Sequence, residues 1–317
     1  MEIKIAIPLA SILWAASLGW AQQTPAERLI EAGHWKRARV IVEARIREAP
    51  DDPLALFLLS QIRNAFGDHA APLQLAERAV ALNRGVAKYH RQLAEVLGVT
   101  AQHANAIQQF FLAHRFQKEI DTALALDPHD VQALRDLLEF YLLAPGIAGG
   151  DPRKAISTAE RIAAVDGAEG PLAKARVAPP AETEGLLRQA SSYRARIALA
   201  RFYLAPAHGN PGAAESAAKA ALELDGGRAE AYAILAGIYA DRASGNDLDG
   251  FLAEARRAVP DDLAPYYRAA EHLRDAARAE RYLRAYLAQE PEGNEPTEAD
   301  AARLLDRLRT KGAGSER

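Results

Sequence analysis

Eight histidines are the side chains of this chain best suited to proton transfer or metal ligation, and their spacing supports neither. His103 and His114 stand eleven residues apart. On one helix that is three turns and roughly 16 Å along the axis, too far to share an ion. His34, His69 and His208 fall in or beside expected turns. His90, His129 and His272 fall in or beside the first helices of expected hairpins, with no adjoining acid and nucleophile. They read as structural or surface histidines. Cysteine is absent, which excludes disulfides, thiolate metal sites and a cysteine nucleophile together. No Gly-x-Ser-x-Gly, His-Glu-x-x-His or glycine-rich phosphate loop occurs. Gly149-Gly150 before Asp151-Pro152 has the makings of an anion-binding nest. The favoured reading is a turn in which Asp151 caps and Pro152 opens a helix, because the Gly-Lys-Ser/Thr of a nucleotide loop is missing. No catalytic residue, cofactor or metal is therefore expected.

The elements that carry these residues are helices in a repeating order. Helix ends close on Pro50, Arg84, Pro128, Gly226, Pro260 and Pro291, and the intervals from Pro50 to Arg84 and from Gly226 to Pro260 are both 34 residues. That period signals stacked helical hairpins, each too small to bury its apolar face alone. Ala and Leu dominate the apolar content, while Gly and Pro fall mostly between periodic segments, which favours an all-α chain. A length of 317 residues then reports a number of hairpins and not of independent cores. With a net charge of −3, the chain offers no general attraction for nucleic acid, and none is expected as a partner.

Start and stop signals place the elements. Thr24, Pro25 and Glu27 form a capping box at the first helix, and Gly33-His34-Trp35 turns into a second that ends at Pro50. Leu56, Leu59 and Ile62, then Leu75, Ala76, Ala79 and Leu82, mark the next hairpin across Gly67-Asp68. Between Arg84 and Pro128 the interval stretches to 44, and Ala101 to Ala125 contains no proline or glycine. The extra residues read as a lengthened second helix with the apolar stripe Ile107, Phe110, Phe111, Phe116 and Ile120. Ala144 to Pro152 is an irregular insertion. Residues 167–190 read as a degenerate hairpin, with short helices at Leu172–Val177 and Ala181–Gln189 between its prolines. Thr297 and Asp300 open a last helix, and the chain is expected to loosen from Gly312.

One hairpin, Ala229 to Pro260, carries Tyr232, Leu235, Ala236 and Tyr239 on its first helix and Leu248, Leu252, Ala255 and Pro260 on its second. The preceding unit has Ile197, Leu199, Ala200 and Tyr203, then Ala214, Ala218 and Ala221. Two adjacent units in one register resemble the tetratricopeptide repeat. The resemblance implies a right-handed superhelical solenoid of antiparallel helix pairs with a C-terminal capping helix, and a concave groove lined mostly by first helices. In that register the groove is lined by Phe57, Gln61, Lys88, Arg91, Glu95, Gln132, Arg135, Glu139, Arg194, Arg201, Tyr267 and Glu271. The cations among them would suit an acidic segment or a carboxyl terminus. The competing reading makes Arg91 with Glu95 and Arg135 with Glu139 ordinary solvated i,i+4 pairs. The Lys-Asn-Asn set by which carboxylate-clamp members grip chaperone tails is not reproduced.

Residues 1–21 read differently. Lys4 precedes an apolar run from Ile5 to Leu18, and Gly19-Trp20-Ala21 offers a cleavage site, the three-part form of a secretory signal. The run is too short for a comfortable membrane span, so no integral span is expected after cleavage. The organisation is then a signal at 1–21, repeats at 24–166, the degenerate hairpin at 167–190, repeats at 191–291 and a capping helix at 297–311. The functional expectation is a non-enzymatic exported scaffold, periplasmic in a two-membrane bacterium, that binds a protein or peptide. An enzyme or carbohydrate-binding protein with a site in 144–190, and a self-assembling structural protein, are the alternatives.

Overall fold

The computed structural model describes residues 23–68, 70–242, 247–293 and 296–315. The signal-like segment 1–21 and His69 lie outside the described residues. Among those described are seventeen α-helices and no strand. They run in antiparallel pairs: α1 (Pro25–Glu31) with α2 (Trp35–Glu48), α3 (Pro53–Ala65) with α4 (Ala71–Leu82), α5 (Ala87–Gln102) with α6 (Ala106–Leu126), and α7 (Val131–Leu143) with α8 (Pro152–Val165). There follow α9 (Gly170–Val177) with α10 (Pro180–Gln189), α11 (Tyr193–Leu204) with α12 (Pro211–Leu224), α13 (Ala229–Arg242) with α14 (Asp247–Ala258), and α15 (Ala264–His272) with α16 (Ala276–Leu287). The last helix, α17 (Glu298–Ser315), packs on α16.

Local chemistry sets these boundaries. Thr24 accepts from the Glu27 backbone N–H while the Glu27 carboxylate accepts from the Thr24 N–H, a complete capping box. Asp52, Asp130, Asp151, Asn210 and Asp275 cap α3, α7, α8, α12 and α16 through their side chains. The two short helices of the irregular stretch start at Gly170 and Pro180, close to where the prolines placed them. Helix α17 continues to Ser315, past the loosening expected at Gly312. Glycine lowers helix propensity without forbidding the conformation.

Packing follows the repeat pattern. Leu235, Ala236, Leu248, Leu252 and Ala255 are all buried, as are Ala214, Ala218 and Ala221. The alanines stand where paired helices come close, and the leucines and tyrosines fill the layers between hairpins. Where α9 starts against α8 the approach is also close, since a Cβ at Gly170 would stand 2.8 Å from Ala163. The expected apolar stripe of α6 divides. Phe116 and Ile120 are core, but Ile107 is 73% exposed and Phe110 and Phe111 also face solvent. The helix has 21 residues where the other second helices have 10 to 14, so its first turns overhang the neighbours that would have covered them.

Most contacts join helices adjacent or next-adjacent in sequence. The exception is a seam at which the last loops meet the first hairpins. Asp261, between α14 and α15, lies 2.9 Å from His34 Nδ1. Glu290, between α16 and α17, takes two hydrogen bonds from Arg39, and Glu292 accepts from the Lys36 backbone N–H at 2.6 Å. Gly293, at φ +79°, passes so close to α3 that a Cβ there would stand 3.2 Å from the Ala65 carbonyl. The solenoid therefore closes on itself.

Candidate functional site

Four first helices, α7, α9, α11 and α13, border a groove of about 540 Å³. Arg135 and Glu139 come from α7, Arg176 from α9, Arg194 and Arg201 from α11, and Glu230 from α13, with Glu169 at the entry to α9. Helix periodicity explains the sharing: positions 135 and 139 lie one turn apart on one face, while the buried Leu134 and Leu137 anchor α7 in the core.

The cations here are already matched. Glu169 accepts from Arg135 and from Arg194, each at 3.2 Å, and bridges α7 to α11. Arg176 forks onto Glu139 at 2.7 and 2.6 Å, and Arg201 pairs with Glu230 at 2.6 Å. Upstream, Arg91 pairs with Asp130, the residue that also caps α7, and Lys88 reaches Glu27 of α1. The i,i+4 reading is thus corrected: Arg91 bonds Asp130 and not Glu95, and Arg135 bonds Glu169 and not Glu139. The terminus of the next first helix offers a fixed carboxylate, whereas the i+4 partner on the same helix points toward its own neighbours.

Two polar atoms in this groove are shut off from solvent with no hydrogen-bond partner, Arg135 Nε and Asp136 Oδ2. Burial lowers the Arg135 pKa and pushes Asp136 up to about 7, the nearby Glu95 adding repulsion. Glu95 is likewise raised by burial. Each has only a neutral amide as hydrogen-bond donor: Asn64 to Glu95 at 3.1 Å and Gln132 to Asp136 at 3.0 Å.

Of the residues expected to line one concave surface, Arg135, Glu139, Arg194 and Arg201 converge here with Gln132, and Lys88, Arg91 and Glu95 stand upstream. Phe57 and Tyr267 do not line a groove. Phe57 is 3% exposed and packs against Tyr89, while Tyr267 packs against Tyr286. Phe57 thus packs on the next hairpin and Tyr267 on the second helix of its own, and both are core, the aromatic fill that a stack needs. Gln61 is half-buried and Glu271 exposed, and neither borders this groove. Sequence reasoning passes over Asp136, Glu169, Arg176 and Glu230. Glu169 was legible as an acid at a helix entry one repeat after Arg135, the relation Asp130 bears to Arg91.

A second concavity of about 530 Å³ adjoins the first and shares Asp136 and Glu139 with it. It lies between the overhanging α5–α6 hairpin and the turn at 144–148, and its wall is mainly apolar, with Phe110, Phe116, Phe140 and Ile147. Phe116 stacks on Phe140 at 4.7 Å. The Gly149-Gly150 pair builds the turn. Gly149 sits at φ +106° against the Phe140 ring, and a Cβ at Gly150 would overlap the Ala144 carbonyl. Asp151 caps α8 behind Pro152, so the turn reading of this segment holds over the nest. No grouping of three or more His, Asp or Glu able to hold a metal stands among the described residues, and no described helix is long and apolar enough to cross a membrane.

No family model matches the chain, and no curated protein matches it. Solved structures do. Yeast Tom70 superposes with a TM-score of 0.57 over 94% of this chain and 66% of its own, at 11% identity. TTC0263, a thermophilic TPR protein of Thermus thermophilus, covers 74% of this chain and 94% of its own at 18% identity, with a TM-score of 0.43. The paired helices, the buried Ala-Leu-Tyr pattern and the Tom70 superposition together make this chain a solenoid of the tetratricopeptide-repeat fold.

Proposed function

We propose that this protein is a non-enzymatic scaffold that binds a protein or peptide partner along the groove bordered by α7, α9, α11 and α13. The observation that carries the reading is the pair of buried, unpartnered atoms in that groove, Arg135 Nε and Asp136 Oδ2. A peptide offers a carbonyl that can accept from Arg135 Nε and an N–H that can donate to Asp136 Oδ2, and leaving such groups unpaired costs about 1–3 kcal/mol each. Because every groove arginine is matched by an acid, the fitting ligand is not a strongly acidic tail, which would have to displace Glu169, Glu139 and Glu230 together.

The test is site-directed photocrosslinking in the native host. A photoreactive residue in place of Ala198, on the groove, should trap a discrete partner, and one in place of exposed Glu160, on α8, should not. Equal trapping from both positions, or none from Ala198 under conditions where the protein is abundant, would refute the groove. The export proposal is separate and rests on the Lys4, Ile5–Leu18 and Gly19-Trp20-Ala21 pattern. Periplasmic fractionation with N-terminal sequencing checks it: a mature chain starting near Gln22 supports export, and a cytoplasmic chain starting at Met1 ends it.

A further inference from the structure

The pocket under the α6 overhang differs from the groove beside it in one respect that specifies a ligand. Among the described residues, every nearby arginine already has a carboxylate: Arg91 has Asp130, Arg135 has Glu169, and Arg176 has Glu139. Glu95 and Asp136 are left over. Both line the pocket, both take a hydrogen bond only from an amide, and Asp136 Oδ2 is buried with none at all. Around these two acids the walls are apolar, and they are built by the two features that depart from the repeat. One is the extra length of α6, which presents Phe110, and the other is the 144–148 turn, which presents Ile147 at 85% exposure. An apolar wall over an acidic floor to which no cation donates a hydrogen bond is complementary to a bulky apolar group carrying a positive charge.

We propose that this pocket docks a segment of the partner protein in which a large apolar side chain stands beside a lysine or arginine, the ring lying against Phe110, Phe116 and Ile147 and the cation reaching Glu95 and Asp136. The proposal rests on the binding-scaffold reading and names the chemistry the partner presents. Burial holds both carboxyls toward their neutral forms, against the pull of Arg91 on each and of Arg135 on Asp136. The groups facing them are Asn64 of α3, Arg91 of α5, and Gln132, Arg135 and Glu139 of α7; a ligand ammonium adds a cation in hydrogen-bond contact, which neither arginine gives. Docking therefore strengthens as pH rises through about 7, where Asp136 ionises.

The absence of cysteine makes a direct test available. In the full chain, Gln102→Cys places a single thiol on an exposed rim position. It is equilibrated in a thiol buffer with three N-acetylated, amidated peptides of identical linkage: Cys-Gly-Phe-Lys, Cys-Gly-Phe-Glu and Cys-Gly-Ser-Lys. Mass spectrometry of the mixed disulfides reads their relative affinities. The Phe-Lys peptide should be enriched about tenfold over Phe-Glu and about fivefold over Ser-Lys. Asp136→Asn should bring the first ratio close to one, and Phe110→Ala, at a position that needs no refolding of the core, should lower the second. A reference thiol at Glu160→Cys should show neither preference.

Ratios at Gln102→Cys that equal those at Glu160→Cys overturn the proposal, as does a Phe-Lys preference indifferent to both Asp136→Asn and Phe110→Ala. A disulfide-linked dimer that outcompetes all three peptides gives the pocket to a second copy of this chain and overturns it too. Peptide selection at Gln102→Cys with no crosslinking from Ala198 removes the groove and leaves the pocket. Crosslinking from Ala198 with no selection does the reverse.

Discussion

The seam and the groove are both held by partly buried ion pairs, yet the pairs span very different lengths of chain. At the groove, Arg135 reaches Glu169 and Arg201 reaches Glu230, each one hairpin along. At the seam, His34 reaches Asp261 and Arg39 reaches Glu290, most of the chain away. The first kind of contact repeats with the fold and sets the surface of neighbouring layers. The second occurs once and sets the curvature of the whole, because a stack of hairpins with only nearest-neighbour contacts leaves the angle between its ends free. Their failures should differ accordingly: loss of a groove pair is local, and loss of the seam is global in shape but modest in helicity.

The largest effect expected belongs to the seam and depends on pH. The Glu292 side chain is 1% exposed, and burial pushes its pKa up to about 7 from 4.5, against the pull of Lys36. The ammonium of Lys36 is 3.4 Å from Glu292 Oε2, near enough to attract, while that oxygen receives no hydrogen bond. Asp261 repels it, and the neighbouring Asp262 is raised for the same reason of burial, with His34 and Lys36 facing both. A folded-state pKa above the unfolded value means that the folded chain holds more protons between pH 4.5 and about 7. The contribution of Glu292 to stability therefore falls as pH rises across that window and is flat beyond it. Glu292→Gln keeps the acceptor for the Lys36 N–H and removes the ionisation. It should remove this part of the decline, leaving that of Asp136, and stabilise the protein at pH 8 by up to about 3 kcal/mol, with no gain at pH 4. Urea denaturation at the two pH values checks this; a variant that tracks the parent at both would detach Glu292 from the seam's energetics.

Next in size is the groove's shared acid. Glu169→Ala takes from the partly buried Arg135 the carboxylate it is paired with, and Arg194 loses its partner in the same step. A loss of about 2 kcal/mol is expected, less than for a fully buried pair because both arginines keep some water. Small-angle scattering should nonetheless show an unchanged envelope. If the envelope of Glu169→Ala expands instead, the groove pairs help set the curvature and the contrast with the seam fails.

Smaller in energy but opposite in shape is Glu290→Ala. The Arg39–Glu290 fork is half-exposed, so the cost should stay near 1 kcal/mol. Combined with Asp261→Ala, which frees His34, it should open the closure and lengthen the maximum dimension in scattering while helical circular dichroism is retained.

The same contrast divides what was legible in the sequence. The capping box at Thr24, the paired helices within 229–260 and the short helices after Pro171 and Pro180 follow from local propensity and spacing, and the structure has them. Local rules mislead where a neighbouring layer decides. Arg91 and Glu95 satisfy the i,i+4 pattern, yet Asp130 is held in place by its capping bond to Ala133 and so meets Arg91 at lower entropic cost. Register puts Phe57 and Tyr267 on the groove, but Tyr89 of the next hairpin packs on the first and Tyr286 of α16 on the second, and both are buried. Phe110 and Phe111 have the spacing of core residues, and only the lengths of adjacent helices reveal that they stay exposed, Phe110 on the wall of the second concavity. The seam was invisible because periodicity reports contacts one repeat apart, and no residue type marks Asp261 or Glu292 as partners of α2.

The smallest expected effect sharpens the comparison most. Arg201 and Glu230 are both well exposed, with side chains 67% and 42% accessible, so their pair adds little to folding. Arg201→Ala should leave urea denaturation unchanged within about 0.5 kcal/mol. It should also leave the scattering envelope unchanged, since the seam is distant in the chain and untouched. Groove crosslinking from Ala198 is the one readout it should move, because Arg201 borders the same cavity. An ion pair that contributes nothing measurable to stability or shape but alters partner capture would be retained for binding. Seam residues should give the reverse pattern, altering shape while crosslinking from Ala198 persists, unless the curvature itself holds the groove open. That last case is testable in the Asp261→Ala, Glu290→Ala double variant: lost crosslinking there, with Arg201 intact, would make closure of the solenoid a condition of binding and join the two regions into one device.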